Sequence, residues 1–183
     1  MDKAVLNDEQ LMLEYANGSA LAFEQLYQRH KGGLYRYCLR QLRHKSKAEE
    51  CFQEIWLKLI NSRVNYKPTA LFTTYLYRIA QNHIIDMARK DNRSGAEVEM
   101  EPETIESQGF AEPLEALTRE GQHTRLRTTM AKLPIEQKTV LLLKLDAGLS
   151  LEEIATVVDC GKETVKSRLR YAVSFLKQQL GEL

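Results

Sequence analysis

The residues whose types and spacing could do chemistry fall into two sets, and both suit contact with nucleic acid. Lys162, Glu163, Thr164, Lys166, Ser167, Arg168 and Arg170 crowd one short stretch. Arginine and lysine donate to guanine in the major groove, hydroxyls serve base edges or phosphates, and a carboxylate accepts from cytosine N4. Glu163 equally fits the role of a first-turn acid favoured by the helix dipole. From Lys162 to Lys177, the cations Lys162, Lys166, Arg168, Arg170 and Lys177 stand against Glu163 alone. A solvated basic face is the plainer account of such a run.

The second set is Tyr75, Arg78 and Asn82, three and four residues apart, with Asn65, Tyr66 and Lys67 in the stretch before it. An aromatic ring beside a cation and an amide is what unpaired bases require, because any base stacks on a π-face while the cation tracks phosphate. A tyrosine on a helix face is also a common structural residue. Catalysis has no comparable basis. Cys38, Cys51 and Cys160 are odd in number, widely spaced and without a C-x-x-C pair, and His30, His44, His83 and His123 are scattered. With no metal-ligand spacing, glycine-rich phosphate loop or nucleophile motif, no metal, cofactor or enzymatic activity is expected.

The elements that must hold these residues are helical. Ser150 stands at an N-cap and Glu153 three residues later completes a capping box, so a helix is expected from Leu151, burying Leu151, Ile154, Ala155 and Val158. Asp159-Cys160-Gly161 stops it, with Gly161 expected to take positive φ. Lys162 then opens a second helix with apolar positions Val165, Leu169, Ala172, Val173 and Leu176. A short helix, a tight turn and a longer basic helix form a helix-turn-helix, which enters the major groove with the start of its second helix. That turn favours the base-reading account over the solvated face.

Upstream, Asp8 to Ala16 reads as a first helix ended by Gly18, with Ser19 capping a second that Gly32-Gly33 interrupts or bends before Leu34 to Leu42 resumes. A third, Ala48 to Ile60, buries Ala48, Phe52, Ile55 and Leu59, with Trp56 a further candidate, and leaves Glu50, Gln53 and Glu54 as an acidic ridge, a pattern that solvation alone also explains. A fourth, Phe72 to Lys90, carries the stripe Leu76, Ile79, Ala80, Ile84 and Met87 opposite Tyr75, Arg78 and Asn82. Alternating strand-like runs are absent, so the chain is expected to be all-α, in two small helical domains.

The 183 residues are 43% hydrophobic and 28% charged, a globular balance, and the formal charge of +1 conceals segregation. Gly95 to Leu117 holds Glu97, Glu99, Glu101, Glu103, Glu106, Glu112 and Glu115 without lysine or arginine. Residues 94–112 are therefore expected to be a flexible acidic linker between domains at 1–93 and 113–183. No run of about 18 apolar residues or signal-peptide core is present, and the unpaired cysteines suit a reducing compartment, so a cytoplasmic protein without membrane insertion is expected.

Gly18-Ser-Ala-Leu-Ala-Phe-Glu-Gln-Leu-Tyr27, Ala48-Glu-Glu-Cys-Phe-Gln-Glu-Ile-Trp-Leu-Lys-Leu59, Phe72-Thr-Thr-Tyr-Leu-Tyr-Arg-Ile-Ala-Gln-Asn-His-Ile-Ile-Asp86 and Leu133-Pro-Ile-Glu-Gln137, followed by the helix-turn-helix, resemble in order a bacterial RNA polymerase sigma factor of the sigma-70 family, extracytoplasmic-function group. The resemblance implies that residues 1–93 form sigma region 2, gripping core polymerase through Glu50, Gln53 and Glu54. Within that region, Asn65, Tyr66, Lys67, Tyr75, Arg78 and Asn82 would capture and melt the −10 element. It implies that 113–183 form region 4, with Lys162 to Arg170 at the −35 element, and that the acidic linker threads a polymerase channel. Core polymerase and promoter DNA are the implied partners, and many relatives also have an anti-sigma factor. Two departures stand out: Tyr75 lies where relatives often have tryptophan, and Glu163 where they often have glycine. The alternative is a free-standing helix-turn-helix transcriptional regulator, which has no use for a single-strand face.

Overall fold

Asn7 opens the first helix with a reciprocal cap, its Oδ1 accepting from Gln10 N–H at 2.8 Å while Gln10 Oε1 accepts from Asn7 N–H at 3.0 Å. The computed structural model describes residues 6–94, 121 and 124–181. Helix α1 (Asp8–Ala16) ends before Gly18, whose φ of +104° turns the chain into the Ser19 cap of α2 (Ala20–Leu42). Helix α3 (Lys45–Ser62), a 3-10 turn (Arg63–Asn65) and α4 (Phe72–Ser94) complete the N-terminal part. Residues 124–130 are helical, followed by α5 (Ile135–Asp146), α6 (Leu151–Val158) and α7 (Lys162–Leu180). No strand occurs among the described residues, so the all-α expectation stands. The expected linker glutamates and the boundary at 113 lie outside the described residues.

Gly32-Gly33 does not break α2, which runs through both as one helix of 23 residues. A mid-helix glycine costs up to about 1 kcal/mol relative to alanine, and close packing offsets that cost at Gly33. A Cβ there would come within 3.1 Å of both the Asp146 carbonyl oxygen and the Tyr77 hydroxyl. The glycine is thus a seat for the end of α5 rather than a hinge.

The core of the N-terminal part gathers Leu11, Leu26, Leu34, Ile55, Leu59, Phe72 and Leu76, all fully buried. Each such side chain removed from water contributes about 1.5–3 kcal/mol. Along α4 the expected stripe holds, with Leu76, Ala80 and Ile84 buried and Ile79 and Met87 half-buried. Thr74, Tyr77 and Gln81 are buried as well, and the second domain covers Tyr77, which lies near Asp146, and Gln81, which lies near Ile135 and Thr139: α6 packs on α4 and α5 on α2.

The seam between the domains carries buried polar contacts. Across it Gln41 Nε2 donates to Thr139 Oγ1 at 3.0 Å and Lys138 Nζ donates to the Gln41 carbonyl at 3.0 Å, while within the N-terminal domain beside it Tyr37 Oη donates to Gln81 Oε1 at 2.6 Å. At its edge Arg40 Nη1 reaches Asp146 Oδ1 at 2.7 Å and Arg36 Nε lies 3.8 Å away.

The helix-turn-helix forms with its expected capping box: Ser150 N–H donates to Glu153 Oε2 at 2.6 Å and Glu153 N–H to Ser150 Oγ at 3.2 Å. Ser150→Ala should cost about 1 kcal/mol, seen as a lower urea midpoint with an unchanged slope. The turn itself differs from expectation. Asp159, not Gly161, takes the left-handed conformation, at φ 51°, and Gly161 is an extended N-cap at φ −70°. Aspartate tolerates that region through its short polar side chain. In α6 the buried residues are Ile154 and Val157, while Leu151, Ala155 and Val158 are half-buried. In α7 Val173 is exposed, since the packing stripe runs through Val165 and Ala172.

Candidate nucleic-acid interface

Helix α7 leaves Lys162, Glu163, Thr164, Lys166 and Arg170 exposed, with Ser167 and Arg168 half-buried. Positions 163, 166, 167 and 170 share one face at spacings of three and four. Lys162 forms an ion pair with Glu152 on α6, which holds the Glu152 carboxyl below the usual carboxylate range. This partner is one that a reading of α7 alone misses. Lys166 Nζ lies 3.8 Å from Glu163 Oε2, an i,i+3 pair. Arg168 leans back toward the turn, its Nη1 3.8 Å from Cys160 Sγ, so the outward donors are Lys162, Lys166 and Arg170.

On α4, Arg78 and Asn82 are exposed and Tyr75 is half-buried. The Tyr75 hydroxyl lies 2.7 Å from Ser62 Oγ, and its ring packs edge-on against Tyr66 with centroids 5.1 Å apart. Asn65 and Lys67 are exposed, but Tyr66 is buried. Burial, and next the nearby Glu9 carboxylate, push the Tyr66 phenol up to about 12. Its hydroxyl has no hydrogen-bond partner among the described residues. Tyr66 is therefore a wall behind Tyr75 rather than an open stacking surface. Asn82 meets the second domain across a cavity of about 440 Å³ shared with Ile85, Ile135, Val157, Val158 and Arg168.

Helix α3 exposes Glu50, Gln53 and Glu54 together, opposite the buried Cys51, Ile55 and Leu59. Below this ridge Lys58 Nζ lies 2.9 Å from His83 Nδ1. Partial burial and then Lys58 lower the His83 pKa. No group of His, Cys, Asp or Glu among the described residues is placed to hold a metal, and no helix there is long and apolar enough to cross a membrane. The three cysteines are free, Cys38 and Cys51 within the core.

The chain matches the family models Sigma-70 region 2, over residues 26–94, and Sigma-70, region 4, over residues 123–176. The ECF RNA polymerase sigma factor SigW of Bacillus subtilis is 32% identical over 91% of this chain and 92% of its own. The chain belongs to the extracytoplasmic-function group of sigma-70 factors. RNA polymerase sigma-H factor of Pseudomonas aeruginosa is 29% identical to this sigma factor over 88% of each chain. The fold is similar to that of the sigma factor RpoE solved with the anti-sigma factor NepR from Bartonella quintana, at a TM-score of 0.73 and 20% identity over 86% of this chain and 96% of that one. It is also similar to CnrH solved with the cytosolic domain of CnrY, at a TM-score of 0.70 and 22% identity over 94% and 96%. In sigma-factor terms, α2 from residue 26 onward, α3 and α4 fall within the region 2 match and α5 to α7 make up most of the region 4 match, so both candidate faces lie inside matched segments.

Proposed function

We propose that this sigma factor binds core RNA polymerase through Glu50, Gln53 and Glu54 and recruits it to promoters in the cytoplasm without catalysing a reaction itself. Region 4 docks α7 in the major groove of the −35 element, with Lys162, Lys166 and Arg170 outward and Glu163, Thr164, Ser167 and Arg168 beside them. Region 2 captures bases of the −10 element that have left the stack, using Tyr75, Arg78 and Asn82, with Asn65 and Lys67 on the flanking loop and Tyr66 behind Tyr75. Extruding a base costs a few kcal/mol; a preformed aromatic and amide face lowers that cost by binding only the unpaired state. The observation that supports this reading is that one half of the chain carries an exposed basic face on the second helix of a helix-turn-helix while the other aligns a half-buried tyrosine with an exposed arginine and asparagine on α4.

Engagement requires the halves to part. Elements named for positions about 25 base pairs apart are separated by about 85 Å at ~3.4 Å per pair. A compact chain of this length has a radius of gyration of about 16 Å, so it spans about half that distance. The closed arrangement then represents the protein off its promoter. The partners of CnrH and RpoE support an anti-sigma factor as a further partner here. The cavity at the seam, lined by Ile85, Ile135, Val157 and Val158, is the surface proposed for it.

Permanganate footprinting of a promoter library with core polymerase tests the reading. Reactive thymines are expected only when core and this protein are both present, and should be lost when Glu50 and Glu54 are both changed to lysine. Tight sequence-specific duplex binding by the protein alone, with no opening, would instead indicate a free-standing regulator.

A further inference from the structure

Helix α4 starts without a local cap. Leu71 occupies the capping position, its carbonyl accepting from Tyr75 N–H at 3.1 Å, yet a leucine side chain offers no acceptor for the free N–H groups of the first turn. The acceptor comes from 63 residues earlier. Glu9 on α1 places Oε1 2.6 Å from Phe72 N. A carboxylate at this end of a helix gains both a charge-assisted hydrogen bond and a favourable interaction with the helix dipole.

Glu9 is held in place by its neighbours. Asp8 Oδ1 accepts from Arg29 Nη1 at 2.7 Å, Asp8 Oδ2 lies 2.6 Å from His30 Nε2, and Arg29 also donates to the Leu6 carbonyl at 3.0 Å. These contacts pin α1 to α2. The His30 ring in turn packs on Phe72, with centroids 5.1 Å apart. From Phe72, which is fully buried, the first turn of α4 leads to Tyr75, and Glu9 also lies close enough to Tyr66 to affect its phenol. One carboxylate therefore touches the helix start, and its charge reaches the ring that backs Tyr75.

We infer that Glu9, outside the DNA-reading segment, is a positioning residue for promoter melting, fixing the first turn of α4 and with it the orientation of Tyr75 and Arg78. This rests on the single-strand face proposed above. Removal of the carboxylate is survivable, because an open hollow of about 350 Å³ borders Asn7, Glu9, Leu71 and Thr73 and admits water to the freed N–H.

The test compares Glu9→Ala and Glu9→Gln in reconstituted holoenzyme at saturating core polymerase, with amide hydrogen exchange on the free chain. Glu9→Ala should exchange the Phe72 amide about tenfold faster and reduce thymine reactivity about tenfold, the scale of losing one helix-capping acceptor. Its affinity for core should stay within about twofold, and Glu9→Gln, which keeps an acceptor oxygen, should restore most of both signals. Wild-type melting by the alanine variant overturns the inference. So does an equal fall in core affinity, or a glutamine variant as defective as alanine. If wild-type holoenzyme itself opens no promoter, the underlying single-strand reading fails instead, and the exchange result then decides the cap on its own.

Discussion

Reversing Arg40 to glutamate opens the molecule. The Asp146 side chain is only 3% exposed, Arg40 is its 2.7 Å partner from the other domain, and Asp146 Oδ2 finds no hydrogen bond among the described residues. Burial pushes the Asp146 carboxyl up, and Arg40 and Arg36 only partly pull it back. Breaking a buried pair by removing one partner costs about 3–5 kcal/mol. The lower end applies here, since the Arg40 side chain is 32% exposed. A second carboxylate adds repulsion, so the radius of gyration from small-angle scattering should rise well above about 16 Å. The double variant Arg40→Glu with Asp146→Lys should return toward the closed value; an unchanged radius in the single variant would refute the seam as a latch. The pH dependence has a definite sign. The closed-state pKa of Asp146 is raised, so closure is favoured fully below the ordinary carboxylate range and that contribution is lost as pH rises through the closed-state value. Opening of the Arg40→Glu variant should therefore be greater at pH 8 than at pH 5.

Replacing Tyr75, Arg78 and Asn82 together by alanine should abolish melting while leaving core binding intact. Base stacking on one aromatic ring contributes about 1–3 kcal/mol, roughly fivefold to more than a hundredfold in the opening equilibrium, before the cation and amide are counted. Arg78 and Asn82 are exposed, so their loss hardly touches the fold. Tyr75 is half-buried and hydrogen-bonded to Ser62, so Tyr75→Phe serves as the control that keeps the ring. Thymine reactivity should fall to background in the triple variant and persist with Tyr75→Phe. Affinity for core should be unchanged in both, because Glu50, Gln53 and Glu54 stand on a different helix. Persistent melting by the triple variant would move the single-strand site elsewhere.

What is local in this protein was legible before any coordinates. Ser19, Ser150 with Glu153, and the Leu76-Ala80-Ile84 stripe are written in residues three or four apart, where one helix turn links sequence to contact. What depends on distant partners was not. Gly33 looks like a breaker until the end of α5 is set against it, and the burial of Tyr77 and Gln81 follows from a domain whose docking no periodicity records. At the candidate site, the chemistry of Tyr75, Arg78, Asn82 and the α7 cations could be read from residue type. Which groups are already engaged could not. Tyr66 is buried, Lys162 is paired with Glu152 and Arg168 leans toward Cys160, each through a neighbour that a helical wheel leaves out. The positive φ misassigned to Gly161 has a simpler cause: aspartate and glycine both tolerate that conformation, and they stand two apart in one turn.

The chain's one tryptophan has a practical consequence. Trp56 is 5% exposed, wedged edge-on to Phe23 at 5.7 Å and beside Tyr27 at 5.0 Å, two and three positions from Glu54 and Gln53. Its indole fluorescence therefore arises wholly from the N-terminal half. Optical unfolding followed at this chromophore is blind to α5, α6 and α7, whereas circular dichroism weighs every helix. Coincident curves from the two signals would mean that the halves melt as one cooperative unit; separated curves would give the C-terminal half a transition of its own.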